Sequence, residues 1–148
     1  MNIVKKTGIL VVIFFALLFI GCSTLNDFYV QNFTQTKKTI KISYKTSISK
    51  VLNPQFPGRF SFNYENEIIK PRLFVKRKNL KSLEKIEVGD SALILEIPPH
   101  STVRIERTRN YNWSWAIDHV EVDHQKYSIE ELQKQSKRFK TDYVYEIK

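Results

Sequence analysis

The segment KTIKISYK, residues 38–45, alternates apolar and polar side chains with a period of two. Ile40, Ile42 and Tyr44 fall on one face of an extended chain, while lysine and serine side chains fall on the other. This alternation is typical of an antiparallel strand that buries one face and exposes the other. The segment therefore predicts a sheet with one face packed on a core.

Similar short segments lie on both sides of this strand. They are rich in β-branched and aromatic residues, which favour extended backbone, and turn signals such as Pro57-Gly58 and Pro98-Pro99 separate them. The predicted strands are residues 28–34, 38–45, 59–65, 72–76, 91–97, 102–108, 111–123 and 142–148.

One helix is predicted near the C-terminal end of the sequence. Ser128 followed by Glu131 has the spacing of a capping box. An apolar stripe of helical spacing then runs from Ile129 to Phe139, and the basic residues of 137–140 fall in the predicted last turn, where they suit the helix dipole.

Seven or eight short strands and one late helix predict a mainly β fold. The expected architecture is an immunoglobulin-like antiparallel β-sandwich with one short C-terminal helix. The Cys-Trp-Cys pattern of true immunoglobulin domains is absent from the sequence, so only the architecture is predicted. A small closed barrel is the alternative.

The first 22 residues have the composition of an export signal. Lys5 and Lys6 supply positive charge, and every residue from Ile9 to Ile20 is apolar. Crossing a bilayer takes about 20 apolar residues, whereas the apolar region of a signal peptide has about 7–15. Gly21 then supplies a small residue directly before Cys22, which is the only cysteine of the chain.

The sequence Phe19-Ile20-Gly21-Cys22 resembles the lipobox of bacterial lipoproteins, with Phe19 in place of the usual leucine. The resemblance implies that the chain is cut before Cys22, that the thiol is diacylated, and that the new amino group is often acylated too. The chemistry is reasonable, because a thiolate is a good nucleophile and two acyl chains hold a protein stably on a membrane.

The resemblance covers residues 1–22 only and implies a signal peptide (1–21) that ends before a lipidated Cys22. The rest of the sequence predicts a short lipidated tether (22–27) and a single β-sandwich domain (28–148). Residues 22–148, which number 127, are enough for one domain with its own core. In the lipoprotein family, Asp after the cysteine retains many enterobacterial members in the inner membrane. Ser23 here implies the outer membrane, and the absence of an acidic run favours a domain that faces the periplasm.

Positive charge is concentrated in one part of the sequence. Without Lys5 and Lys6, the chain has 22 basic and 15 acidic residues, a net charge of +7. Seven basic residues and only one acidic residue, Glu84, lie between positions 70 and 85, so this basic segment carries +6. The seven are Lys70, Arg72, Lys76, Arg77, Lys78, Lys81 and Lys85.

The basic segment has two interpretations. As a binding patch it would take anionic lipid, lipopolysaccharide phosphates or acidic glycan. Alternatively, it is a solvated edge, where lysines prevent one sheet from pairing with another.

Three aromatic residues, Tyr111, Trp113 and Trp115, alternate along the predicted strand 111–123 and would share one face. Exposed, they would form a platform for a ligand. Because the opposite face begins with Asn112 and Ser114, the aromatic face is the one expected to be buried, and both tryptophans are predicted to be core residues.

His119, Glu121 and Asp123 share the other face of the same predicted strand. Imidazole and carboxylates bind metals, but alternate residues of a strand lie about 6.6–6.8 Å apart, too far for three of them to share one ion easily. A solvated polar face is therefore predicted, with no metal and no cofactor. No Gly-x-Ser-x-Gly, His-Glu-x-x-His or Gly-rich phosphate loop occurs in the sequence, so no catalytic residue is predicted.

These features together predict a non-catalytic envelope lipoprotein, a lipid-tethered binding or structural module with a basic patch. Its expected partners are the membrane through Cys22, an anionic envelope component and a protein partner, but not nucleic acid. One alternative is an inhibitor or immunity-type lipoprotein that uses the loop 46–58 or the basic segment. Another is a hydrolase of envelope polymers that uses His119, Glu121 or Asp123.

Overall fold

A computed structural model describes residues 23–51, 62–111 and 113–148. The strands are β1 (Leu25–Asn32), β2 (Lys38–Tyr44), β3 (Asn63–Glu65), β4 (Lys81–Ser82), β5 (Lys85–Val88), β6 (Ala92–Ile97), β7 (Ser101–Arg109), β8 (Ile117–Val122), β9 (Gln125–Ser128), β10 (Lys137–Phe139) and β11 (Asp142–Ile147). The helical segments are α1 (Ile48–Val51), α2 (Pro71–Phe74), α3 (Trp113–Ala116) and α4 (Ile129–Gln135). The prediction of a mainly β fold is confirmed.

The strands form two sheets. The first has the order β10-β11-β1-β7-β3-β4, and the second has the order β5-β6-β2-β8-β9. Neighbouring strands are antiparallel except for β1 and β11, which are parallel, with Phe28 opposite Tyr143. The first strand of the described chain therefore pairs with its last strand. The immunoglobulin-like topology stays a prediction.

The two sheets contribute to one hydrophobic core. Ile40, Ile42 and Tyr44 of β2 are buried, as the alternation of residues 38–45 predicts. They belong to the same buried cluster as Phe28 and Val30 of β1. Residues of both sheets thus share one buried core, where burial of apolar area stabilises the fold.

Strand β1 is buried on both faces. Phe28 and Val30 face the common core, while Tyr29 belongs to a second cluster with Ile69, Phe74 and Val144. The strand begins at Leu25, three residues before the predicted start, and Asn26 and Asp27 are already buried. Residues 25–27, which the sequence assigned to the tether, therefore form part of the sheet.

The predicted strand 72–76 is wrong, because Pro71–Phe74 forms the helical turn α2. Pro71 occupies the first turn, where its fixed φ suits a helix and its missing N–H is not needed. The backbone N–H groups of Leu73 and Phe74 donate to the carbonyl of Lys70 over 2.9 and 3.1 Å. The turn directs the fully buried Phe74 onto β1.

The predicted long strand 111–123 is also partly wrong. Asn110 and Tyr111 adopt positive φ values of 51° and 60°, and the turn α3 follows before β8 begins at Ile117. A turn at Asn110 agrees with the ability of Asn to adopt the left-handed region. Only the second half of the predicted strand is extended.

The predicted helix begins where expected. Ser128 Oγ accepts a hydrogen bond from Glu131 N over 3.2 Å, and Glu131 Oε2 accepts one from Ser128 N over 2.7 Å, which completes the capping box. The helix ends at Gln135, whereas the apolar stripe suggests that it continues to Phe139. Residues Lys137–Phe139 instead form β10, because they pair with β11.

Candidate functional site

The chain is fixed to the domain from Thr24 onward. Asn110 N donates to Thr24 O over 2.9 Å, and Thr24 N donates to Asn110 Oδ1 over 3.0 Å. Arg109 Nη1 also donates to Ser23 Oγ over 3.3 Å. Cys22 lies outside the described residues, but it is two positions before Thr24, and two residues span about 7 Å at most. A group attached to Cys22 would therefore lie beside this end of the domain.

Several exposed side chains surround this point. Leu25 is paired with Arg109 of β7, and Thr141 Oγ1 donates to Leu25 O over 3.2 Å, which brings the β10–β11 turn to the same place. The segment α3 follows β7 at this end and leads to the second sheet. We call this surface the anchor end. Its exposed apolar and basic side chains are Leu25, Arg109, Trp115, Arg138 and Lys140.

The two tryptophans near the anchor end occupy opposite environments. Trp113 is fully buried, as predicted, whereas Trp115 is 77% exposed, so its prediction as a core residue is wrong. The reason is that residues two positions apart in a helical turn differ by about 200° in direction, whereas in a strand they share a face. Trp113 packs edge-on against Phe28 and Tyr143, with ring centroids 5.8 and 5.7 Å apart.

A buried polar network lies on the outer face of the first sheet near the anchor end. Arg107 donates from Nε to Asp27 Oδ1 and from Nη2 to Asp27 Oδ2, both over 2.7 Å. The Tyr29 hydroxyl donates to Asp27 Oδ2 over 2.8 Å, and Arg104 Nη1 lies 3.9 Å from the same oxygen. The Asp27 side chain is only 4% exposed.

Asp142 of β11 completes this network, because its Oδ1 accepts a hydrogen bond from Asp27 N over 2.9 Å. Burial raises the pKa of Asp142, with the Asp27 charge adding to the effect. Burial also raises the pKa of the Tyr29 phenol, and burial together with Arg107 lowers the pKa of Arg104. The network joins β1, β7 and β11, and its chemistry is that of a structural ion pair.

The basic segment is attached to the same outer face at its N-terminal side. Phe74 packs against Tyr29, with ring centroids 5.1 Å apart. Thr102 Oγ1 accepts from Ile69 N over 3.0 Å and donates to Glu67 O over 2.8 Å. Gln31 Nε2 donates to Ile69 O over 2.7 Å. Buried side chains thus hold the turn α2 in place.

The seven basic residues of the segment differ in exposure and in ion pairing. Arg77 is paired with Glu67 over 2.7 Å and with Glu65 over 3.5 Å, so two carboxylates outside the segment compensate its charge. Lys85 is half-buried, and its Nζ lies 5.8 Å from the centre of the Phe62 ring. The exposed residues without an ion pair in the described part of the chain are Lys70, Arg72, Lys76, Lys78 and Lys81.

Three further features describe the basic segment. Lys81 lies in β4 and Lys85 in β5, which are edge strands of the two sheets, so these lysines also protect sheet edges. Leu73 and Val75 are exposed between the basic residues, so the surface is both basic and apolar. The segment begins beside Gln31, six residues along β1 from the anchor end, a distance of about 20 Å.

The polar residues of β8 and of the turn after it pair with lysines of β2, and Lys38 Nζ lies 2.6 Å from Asp123 Oδ2. His119 lies 2.7 Å from Asp118 and 3.3 Å from Glu121, and Lys41 Nζ donates to Glu121 Oε1 over 3.0 Å. Lys41 lowers the pKa of Glu121. Within residues 23–51, 62–111 and 113–148, no group of three or more His, Cys, Asp and Glu side chains could hold a metal ion.

No protein-family model matches the chain, and no curated protein or solved structure matches it either. In the part of the chain that the structure describes, no helix is long and apolar enough to cross a membrane.

Proposed function

We propose that the protein is a non-catalytic lipoprotein of the bacterial envelope, in which acylated Cys22 anchors an immunoglobulin-like β-sandwich that binds an anionic partner. The observation that carries the proposal is the spacing between Cys22 and the folded domain. Thr24 is already hydrogen-bonded to Asn110, so the lipobox-like sequence stands directly before a folded unit. Ser23 supports an outer-membrane position, and the absence of an acidic run after Cys22 supports a domain that faces the periplasm.

The basic segment is the proposed binding surface. Its exposed cations lie before and after Leu73 and Val75 in the sequence, and this combination suits an amphiphilic or polymeric anion. Anionic phospholipid, lipopolysaccharide and acidic glycan share this chemistry. Measuring the binding of each of these three ligands to the protein separately would show which one it prefers.

The anchor is tested by substituting Cys22. We expect Cys22→Ala to abolish labelling by a palmitate analogue and to release the protein from the membrane fraction, because no other thiol is present. Ser23→Ala is the control, since it leaves the acylated residue in place. Undiminished labelling of Cys22→Ala would contradict the lipoprotein assignment.

The binding surface is tested with residues 23–148 and matched lysine substitutions. Lys76→Gln with Lys78→Gln removes two charges from the basic segment, while Lys126→Gln with Lys134→Gln removes two exposed charges elsewhere. Each basic residue near an anionic surface is worth about 1 kcal/mol, so the first variant should bind about 30-fold more weakly at low salt. The control variant, which has the same net charge, should bind like the wild type.

Binding is measured by co-sedimentation with anionic and neutral vesicles, lipopolysaccharide micelles and an acidic glycan. It should decrease between 0.01 and 0.15 M salt, because the screening length falls from about 30 Å to about 8 Å. Equal losses in the two variants would show that only net charge matters and would overturn the assigned surface.

Binding of a protein is the second candidate function, because Leu73 and Val75 expose apolar surface beside the lysines. An inhibitor or immunity-type lipoprotein would use such a surface against an enzyme. Cross-linking from Leu73 in solubilised envelopes would identify that partner, and Lys126 would serve as the control position.

A further inference from the structure

Trp115 is the most exposed of the large hydrophobic residues in the described part of the chain. An indole has a large apolar surface and one N–H group, so tryptophan is favoured where one side is apolar and the other is wet. The packing of the domain does not account for its position, because Trp113 supplies the buried ring of the same turn.

The position of Trp115 is close to the start of the domain. It follows Asn110 by five residues, which span about 18 Å at most, and Asn110 is hydrogen-bonded to Thr24. Leu25, which is 49% exposed, lies at the same end. Tyr111 N donates to Asn26 Oδ1 over 3.0 Å, so the turn α3 begins beside the first residues of β1, and Leu25 and Trp115 belong to the same end of the domain.

The charge of the anchor end is positive. Arg109, Arg138 and Lys140 are exposed and form no ion pair within the described residues. The buried carboxylate of Asp27 is already held by Arg107, and the half-buried carboxylate of Asp142 accepts a hydrogen bond from Asp27 N. Tryptophan together with arginine and lysine is the composition that proteins place at the level of lipid headgroups.

We propose that the anchor end docks directly on the phospholipid surface that holds the acyl chains of Cys22. In this arrangement Trp115 and Leu25 enter the headgroup region, and the three basic residues face anionic headgroups. The inference rests on the proposed acylation of Cys22. Because at most one residue, Ser23, lies between the anchor and the fixed Thr24, the local concentration of lipid is high and weak contacts are sufficient.

The same geometry directs the opposite end of the domain away from the membrane. Phe33, which is exposed just beyond the other end of β1, is eight residues from Leu25, a distance of about 27 Å. Phe33 therefore provides a matched position for an aromatic probe that should not meet the lipid.

The experiment uses the full-length protein, acylated in cells, purified in detergent and reconstituted into phosphatidylethanolamine–phosphatidylglycerol vesicles. Vesicle flotation measures anchoring. Tryptophan fluorescence is compared in vesicles with and without bromine on the acyl chains, which quench nearby indoles. Three proteins are compared: the wild type, Trp115→Phe, and Trp115→Phe combined with Phe33→Trp.

We expect all three proteins to float with the vesicles. The brominated lipid should quench the wild type several-fold more than Trp115→Phe, whose buried Trp113 is the background. The Phe33→Trp protein should show only that background.

If the proteins float but Trp115 is quenched no more than the indole at position 33, docking is overturned while the anchor remains. If the wild type fails to float, the anchor itself is absent and the docking proposal fails with it.

Discussion

Arg107 holds both carboxylate oxygens of Asp27, with two hydrogen bonds of 2.7 Å that join β7 to β1. Bidentate pairs of this kind are the stronger class of charge-assisted hydrogen bonds. Asp27 is almost fully buried, whereas the Arg107 side chain is 38% exposed, so the carboxylate depends on its partners more than the guanidinium does.

Asp27→Ala should reduce the free energy of unfolding of residues 23–148 by about 3 kcal/mol. Removing one partner of a buried ion pair costs about 3–5 kcal/mol, and the partial exposure of Arg107 favours the lower end of that range. Urea unfolding measures the change. Lys37→Ala, which breaks the exposed pair with Glu96, is the control and should cost less than about 1 kcal/mol. Equal effects of the two substitutions would contradict this account.

Asp142→Asn should stabilise the folded state at neutral pH. Burial raises the pKa of Asp142 above the ordinary value of 3.8, so the wild type loses stability as the pH rises through the interval between these two pKa values. Asparagine does not titrate and retains an oxygen that can accept from Asp27 N. The stability advantage of the variant should therefore grow with pH across that interval and stay constant above it.

The pH dependence has an internal control. Hydrogen bonding to His119 lowers the pKa of the exposed Asp118, so Asp118→Asn should lose stability relative to the wild type as the pH rises. Denaturation midpoints of both variants and the wild type are measured from pH 3 to 7. The difference between variant and wild type should increase with pH for Asp142→Asn and decrease with pH for Asp118→Asn. Slopes of the same sign would refute the assigned environments.

Trp113→Ala should destabilise residues 23–148 by about 3–5 kcal/mol, as expected for loss of a large buried aromatic ring. Trp115→Ala should change the stability by less than about 0.5 kcal/mol, because its ring is exposed. Chemical denaturation with circular dichroism measures both values. A large loss at Trp115 would show that its indole packs on the domain in solution.

Thr102→Val should reduce the free energy of unfolding by about 1–3 kcal/mol. The substitution removes Oγ1, which accepts a hydrogen bond from Ile69 N and donates one to Glu67 O inside the protein. The amide of Ile69 should also exchange its hydrogen faster, because this bond fixes the start of the basic segment. Thr39→Val, at an exposed position of β2, is the control and should change neither quantity. Unchanged exchange at Ile69 would contradict the role of Thr102.

Much of the β fold could be predicted from the sequence where alternation is strict. Ile40 and Ile42 are buried as expected because β2 exposes one face. Local sequence fails to distinguish the structures at α2, because the apolar run from Leu73 to Val75 is equally compatible with a strand and a helical turn. Short edge strands such as β4, which has two residues, also carry too little pattern to be recognised.

The candidate surfaces could be predicted only in part. The basic segment is visible in the sequence, but the compensation of Arg77 by Glu65 and Glu67 depends on the bend of the chain between them. The buried network of Asp27 and Arg107 joins residues 80 positions apart, and no local pattern reveals such a pair. Alternation predicts the wrong face for Trp115 because a helical turn interrupts the expected strand.

The position of β1 between β7 and β11 sets the order in which the chain can complete its fold. Both partners of β1 follow it in the sequence, and the backbone N–H of Asp27 donates to Asp142 Oδ1, 115 residues later. At about 5–20 residues per second, synthesis alone separates them by about 6–23 s. During that time β1 has an uncovered edge that other chains could pair with.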